Sequence, residues 1–237
     1  MIVRRKWTVL PANYNIKTPM PATYPILLDL CGRTVVIVGG GNVAVRKAQG
    51  LIGSEGSRPS VRVRVIAREI SDAIPREVER VNEVYRADHL DGATLVFAAT
   101  DSREVNEAVV RDARTRDVLV SRADDPDDGD FAVPAIHRDG PITITVSANS
   151  PALSAFIRDE IASNWDTSYR TLADEMRVLR PLIIGSELAA TRRADVLRSL
   201  ATRDAMDVLR EGGSTALRGW LVSRYPEMKS IVHACSR

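Results

Sequence analysis

Cysteine is almost absent from this chain: Cys31 and Cys235 are the only two, far apart and in no metal or redox spacing. That excludes a disulfide framework and makes a reducing cytoplasm the expected compartment. Histidine is nearly as scarce. His89, His137 and His233 share no ligand spacing with one another or with the cysteines, so no resident metal site is expected. No apolar run approaches the roughly 20 residues a membrane helix needs. Residues 1–23 carry Arg4, Arg5 and Lys6 without a following signal-type apolar core, and read as an N-terminal extension. The net charge is only +2, and the arginines are scattered among acids instead of forming a basic stripe. Neither nucleic acid nor a membrane surface is therefore expected as a partner. There are no internal repeats and no low-complexity tract.

What the chain does have is concentrated in Thr34-Val-Val-Ile-Val-Gly-Gly-Gly-Asn-Val-Ala-Val-Arg-Lys-Ala48. Five apolar residues read as a buried strand, three glycines follow, and Asn42–Leu51 reads as a helix. Gly39, Gly41 and Ala44 fit the G-x-G-x-x-G/A spacing of a dinucleotide site. Gly39 allows a sharp turn off the strand, Gly41 leaves the backbone open to a pyrophosphate, and Ala44 lets the helix pack closely. The free N–H groups of the first helical turn would face the phosphates, which places a diphosphate against Gly39, Gly40, Gly41, Asn42 and Val43.

Strands and helices alternate beyond that point. Val61–Ile66 predicts a second strand near the sheet edge, reached through the turn-rich segment 53–60. Residues 70–81 predict a polar helix and 83–85 a short strand. Ala93–Ala98 predicts a strand buried on both faces, and Ser102 caps a helix whose stripe is Val105, Ala108, Val109 and Ala113. Val118–Val120 is the fifth strand. Repeated strand–helix units predict an α/β doubly wound parallel sheet, with ligands outside the carboxyl ends of its strands. One crevice should then collect the glycine turn, Arg68, Glu69, Thr100, Asp101 and Asp124. An acidic loop follows at residues 122–130, then strands over 131–136 and 142–146 joined by a turn at 137–141. Ser150 caps a further helix with Pro151 at its first position. The remainder is helical, with Leu172, Met176, Leu179 and Leu182 at helical spacing and Gly212-Gly213 between two late helices.

Several separated motifs, in order, resemble one family. Tyr24–Ala48 resembles the opening of the precorrin-2 dehydrogenases, which are also the N-terminal module of sirohaem synthases. Phe97-Ala-Ala-Thr-Asp-Ser-Arg-Glu-Val-Asn106 resembles the family's fourth-strand motif. Ala123-Asp-Asp-Pro126, Phe131-x-x-Pro134-Ala135 and Thr145-Val-Ser147 with Ser150-Pro-Ala-Leu153 resemble its middle segment. The match runs through residues 24–163; residues 164–237 match only in being helical. The resemblance implies a Rossmann domain over 24–121, a dimerisation and active-site segment over 122–150, and a helical domain over 151–237. It also implies a homodimer, and NAD-dependent oxidation of precorrin-2 to sirohydrochlorin. Some relatives add ferrous iron to make sirohaem.

Asp124 occupies the position of the family's catalytic aspartate. Asp125, Asp127, Asp128 and Asp130 should raise its pKa if they lie close, and otherwise read as solvated. The substrate the resemblance implies is an octacarboxylate tetrapyrrole, and Ser147, Asn149 and Ser150 precede a helix N-terminus suited to anions. Ala148 departs from longer synthases, which carry a second serine in this loop. At the end of the second strand, Arg68 points to NADP and Glu69 to NAD; NAD is the expectation. Lys47 reads equally as a phosphate neutraliser or a solvated helix lysine. Two rival classes stay open: a nucleotide-sensing module that regulates a protein partner, and another small-molecule dehydrogenase on the same half-fold.

Overall fold

Thr34–Val38 (β1) is buried along its whole length, and the molecule's parallel sheet grows outward from it on both sides. The structure is a computed structural model and describes residues 23–52, 61–148 and 150–234. Beside β1 lie Arg62–Ile66 (β2) and, beyond it, Glu79–Val81 (β3); on the other side lie Ala93–Ala98 (β4) and Leu119–Arg122 (β5). The order β3-β2-β1-β4-β5 is parallel throughout and reverses between β1 and β4. Successive β1 residues feed opposite faces. Val35 and Ile37 pack with Ala44 and Ala48 of the helix Asn42–Ile52 (α1). Val36 and Val38 pack with Val109, Val110 and Ala113 of Arg103–Arg114 (α2). Covering both faces with helices makes the sheet doubly wound, and explains why its central strands are uninterrupted apolar runs.

Three expectations are corrected here. No helix forms over residues 70–81. Ile70, Ile74 and Val78 repeat at helical spacing, but Pro75 removes a backbone donor and disfavours helical geometry at Ile74. The segment instead runs as separate turns, with Ser71 N donating to Gly40 O, Ile74 N to Ser71 O and Val78 N to Pro75 O. Ile74 and Val78 still enter the core. The strand expected at 83–85 is the earlier Glu79–Val81, which forms the edge, with β2 beside it near the edge as expected. On α2, Val109 and Ala113 are buried and Val105 packs against the core as expected, while Asn106 and Val110 are buried in addition and Ala108 is not.

The chain divides into two units, one ending at Ala132 and one beginning at Val133. The second opens with the antiparallel hairpin Ala135–Asp139 (β6) and Ile142–Val146 (β7). β6 starts later than the expected Phe131 because Pro134 has no N–H for a ladder. Gly140 takes φ 56° at the reversal, as glycine at the first position of a two-residue hairpin turn does. Phe131 meets Phe97 edge-on at 5.4 Å, within the first unit. Helices follow at Pro151–Ser163 (α3), Ser168–Ile184 (α4), Ala190–Leu200 (α5), Arg203–Arg224 (α6) and Lys229–Ala234 (α7). Their core gathers Leu172, Leu179, Ile183, Val196, Leu200, Leu209, Leu217 and Leu221. Met176 packs against its edge, whereas Leu182 is exposed. Gly213 breaks α6 into two arms with φ 66° and ψ −166°.

Candidate active site

Two backbone segments close on each other at the carboxyl end of the sheet, where the strand order reverses. A Cβ on Gly39 would lie 2.2 Å from the Ala99 carbonyl oxygen, and one on Gly40 would lie 2.0 Å from that of Glu69. These two glycines are therefore packing requirements. Gly41 differs: among the described residues, no heavy atom lies within 4 Å of where its Cβ would sit. Gly41 and Asn42 are exposed, and Asn42 opens α1. The first N–H groups of a helix have no intrahelical acceptor, so this turn offers donors and a positive dipole end to an anion. The open Gly41 backbone and these donors fit a dinucleotide diphosphate.

Arg68 and Glu69 follow β2 and are both exposed. Thr100 and Asp101 follow β4. Asn106, fully buried on α2, holds this second turn: its Oδ1 accepts from Thr100 N at 3.1 Å and from the Thr100 hydroxyl at 2.8 Å, and its Nδ2 donates to Thr100 O at 3.1 Å. The same Nδ2 donates to Asp124 Oδ1 at 2.7 Å. Asp124 thus stands beside the β4 turn, and Ala99 of that turn meets the glycine turn after β1.

Asp124 is a third exposed at its side chain, whereas the Arg122 side chain is 2% exposed. Arg122 Nε donates to Asp124 Oδ1 at 3.1 Å, and Nη2 to Oδ2 at 3.0 Å. Arg122 Nη1 donates to Asp128 Oδ2 at 2.8 Å, and Glu107 lies 3.6 Å from Nη2. The Arg122 hydrogen bonds, followed by that from Asn106, hold the Asp124 carboxyl below the usual range. This overturns the expectation of a raised pKa, because the hydrogen bonds from Arg122 and Asn106 outweigh the cost of desolvation. The acidic loop is also less solvated than expected. Asp128 pairs with Arg122 and Arg114, and Asp130 Oδ2 accepts from Val120 N at 2.9 Å. The sequence motifs assign no site role to Arg122, nor to Asn106, although Asn106 closes the Phe97–Asn106 motif. Arg122 continues the inward register of Val118 and Val120, and Asn106 lies on the buried stripe of α2.

In the second unit, Ser147 is exposed. Ser150 caps α3, its hydroxyl accepting from Leu153 N at 3.5 Å. Buried Ser154, also absent from the motif reading, accepts from Ala148 N at 2.9 Å and donates to Ser150 O at 3.0 Å. Asn149 lies outside the described residues. Lys47 is half-buried, its Nζ 5.0 Å from the Phe97 ring centroid, so it is not a solvated lysine. His89 Nδ1 accepts from Arg86 N, His137 meets Trp165 edge-on, and His233 Nδ1 lies 2.6 Å from Lys229 O. Among the described residues, no cluster of three or more His, Cys, Asp or Glu is placed to hold a metal. No described helix is long and apolar enough to cross a membrane.

The sheet and its glycine turn define a nucleotide-binding α/β domain, and residues 26–135 match the family described as NAD(P)-binding. The chain is a homologue of siroheme synthases and precorrin-2 dehydrogenases, and carries an NAD(P)-binding domain. It is 37% identical over 144 residues to a siroheme synthase of Photobacterium profundum, covering 58% of this chain and 30% of the relative. It is 29% identical over 181 residues to a precorrin-2 dehydrogenase of Priestia megaterium, covering 75% of this chain and 88% of that one. The solved structure of SirC, precorrin-2 dehydrogenase, superposes with a TM-score of 0.70 at 24% identity, covering 85% of this chain and all of that one. The matched segment spans about a third of the length of the siroheme synthases.

Proposed function

We propose that this chain oxidises precorrin-2 to sirohydrochlorin with NAD as electron acceptor. One observation carries the reading: the partly exposed Asp124 carboxylate is bonded through Asn106 to the β4 turn, which abuts the glycine turn. A nucleotide-sensing module has no need of a carboxylate held there. The homology to precorrin-2 dehydrogenases supports the choice of substrate.

Gly39–Val43 would hold the diphosphate on backbone donors, and Arg68, Glu69, Thr100 and Asp101 would flank the coenzyme. Introducing one double bond into the macrocycle removes a hydride and a proton, and the coenzyme supplies the hydride acceptor when bound. Loss of hydride leaves positive charge on the substrate. Asp124, ionised across the working pH range, stabilises that charge and takes the proton. Ser147, Asn149 and Ser150 would bind substrate carboxylates beside the α3 N-terminus. Since Ser150 already caps Leu153 N, Ser147 is the hydroxyl we assign to direct contact. NAD is preferred over NADP on the acidic Glu69 at the end of β2.

Within this scheme residues 24–121 bind coenzyme, 122–150 form the active-site and dimerisation segment, and 151–237 form the helical domain. The working form is a cytoplasmic homodimer, for which exposed Val133, Leu153 and Phe156 offer apolar area. Ferrous iron enters only as a second substrate.

Mixing the chain with NAD and precorrin-2 and following sirohydrochlorin absorbance tests the activity. Asp124→Ala should abolish turnover while NAD still binds. Absence of product from the unaltered chain would refute the assignment. Adding ferrous iron to the same cuvette tests chelation by the appearance of sirohaem absorbance.

A further inference from the structure

A guanidinium is costly to bury, and Arg122 is 3% exposed at the end of β5, where Val118 and Val120 set an apolar register. Both Asp124 oxygens receive its donors, and its third bonded nitrogen anchors Asp128 six residues on. Asn106 shows the same economy. Its amide makes four hydrogen bonds, three to Thr100 and one to Asp124, at a core position that an apolar residue would otherwise fill. We propose that Arg122 and Asn106 are positioning residues that hold the Asp124 carboxylate in one orientation and join it to the turn after β4. The proposal rests on the reading of Asp124 as the proton acceptor.

Arg122 faces Asp124 with its charge from β5, and the neutral Asn106 amide faces it from α2. Glu107 approaches Arg122 and is paired with Arg103 at 2.9 Å; Asp128 is shared between Arg122 and Arg114. Asp125 is adjacent in sequence. Removing Arg122 would leave Asp124 among Glu107, Asp125 and Asp128 with its main counter-charge gone, so its protonated form would persist to higher pH. Removing Asn106 would free the carboxylate to rotate and would uncouple it from Thr100.

The test uses the full chain with 13C-carboxyl-labelled aspartate, the Asp124 resonance being assigned by its loss in Asp124→Asn. In the unaltered chain Asp124 should titrate below the ordinary carboxylate range. Asn106→Leu and Arg122→Met should each move the midpoint upward, and Arg122→Lys should recover part of the shift. With NAD and precorrin-2, kcat should fall by up to about 100-fold, the Kd for NAD should hold in Arg122→Met, and the acid limb of the pH–rate profile should move with the NMR midpoint. If Arg122→Met does not fold, Asn106→Leu decides. An ordinary midpoint in the unaltered chain, or one unmoved by the variants that fold, overturns the positioning roles. Absence of turnover in the unaltered chain overturns the proposed reaction, while the titration still decides the positioning claim.

Discussion

Gly40 and Glu69 are packed backbone against backbone: a Cβ on Gly40 would sit 2.0 Å from the Glu69 carbonyl oxygen. The same turn is fastened by Ser71 N donating to Gly40 O at 3.0 Å. Neighbouring Gly41 has open space instead, so the two glycines should fail differently. Gly40→Ala forces backbone apart and should cost about 1–3 kcal/mol in urea unfolding. Gly41→Asp should leave the unfolding midpoint nearly unchanged yet remove NAD binding by crowding and repelling the diphosphate. Calorimetric titration with NAD checks the second outcome; retained affinity would show that the phosphates rest elsewhere.

The open turn at Gly41 is legible in the sequence, because strand, glycine spacing and helix fall within fifteen consecutive residues, whereas the packing of Gly40 against Glu69 is not. Local patterns of that kind carry their own geometry. The segment 70–81 misleads for the opposite reason: its apolar spacing is helical, but burial of Ile74 and Val78 is achieved by turns around Pro75. Arg122 was hidden because a charged residue beside five aspartates reads as part of a solvated loop. Only its place in register with Val118 and Val120 shows that it points inward. The pKa direction of Asp124 followed from that placement, and no count of nearby acids could supply it.

Gly213 holds α6 in two arms by adopting φ 66° and ψ −166°, a region essentially reserved for glycine. Leu209 and Leu217, four residues to either side, are both buried, so the kink sets how each arm meets the helical core. Gly213→Ala should therefore destabilise the second unit by about 1–3 kcal/mol. Chemical denaturation followed by Trp fluorescence reports this, and an unaltered midpoint would contradict the kinked geometry.

Asp166 accepts from Ser168 N at 2.8 Å at the start of α4, and from Arg210 Nε at 2.9 Å on α6. These bonds lower its pKa from 3.8 to about 2, the backbone N–H being the leading cause. A carboxyl whose folded pKa lies below its unfolded one stabilises the fold fully above the unfolded value. That contribution is lost as pH falls through the folded value. Asp166→Asn should thus lower Tm at neutral pH, and the gap from the unaltered chain should close between about pH 4 and pH 2. A gap independent of pH would mean that the carboxylate's charge contributes nothing.

Lys47 projects onto Phe97, and burial, reinforced by repulsion from Arg46, lowers its pKa. The direction has a definite consequence. A lysine whose folded pKa is depressed penalises the fold while charged, and the penalty is relieved as pH rises through the folded value toward the unfolded one. The cation–π contact with Phe97 offsets part of that cost. Lys47→Met keeps the aliphatic stem against the ring and removes the charge. It should therefore raise Tm at pH 7 and lose that advantage above about pH 10.5, the unfolded value for lysine. A lysine directed at the ring contributes little to phosphate binding, so the Kd for NAD should stay within about twofold. A tenfold weaker Kd would instead assign Lys47 to the diphosphate, and would mean that its place over Phe97 is given up when the coenzyme binds.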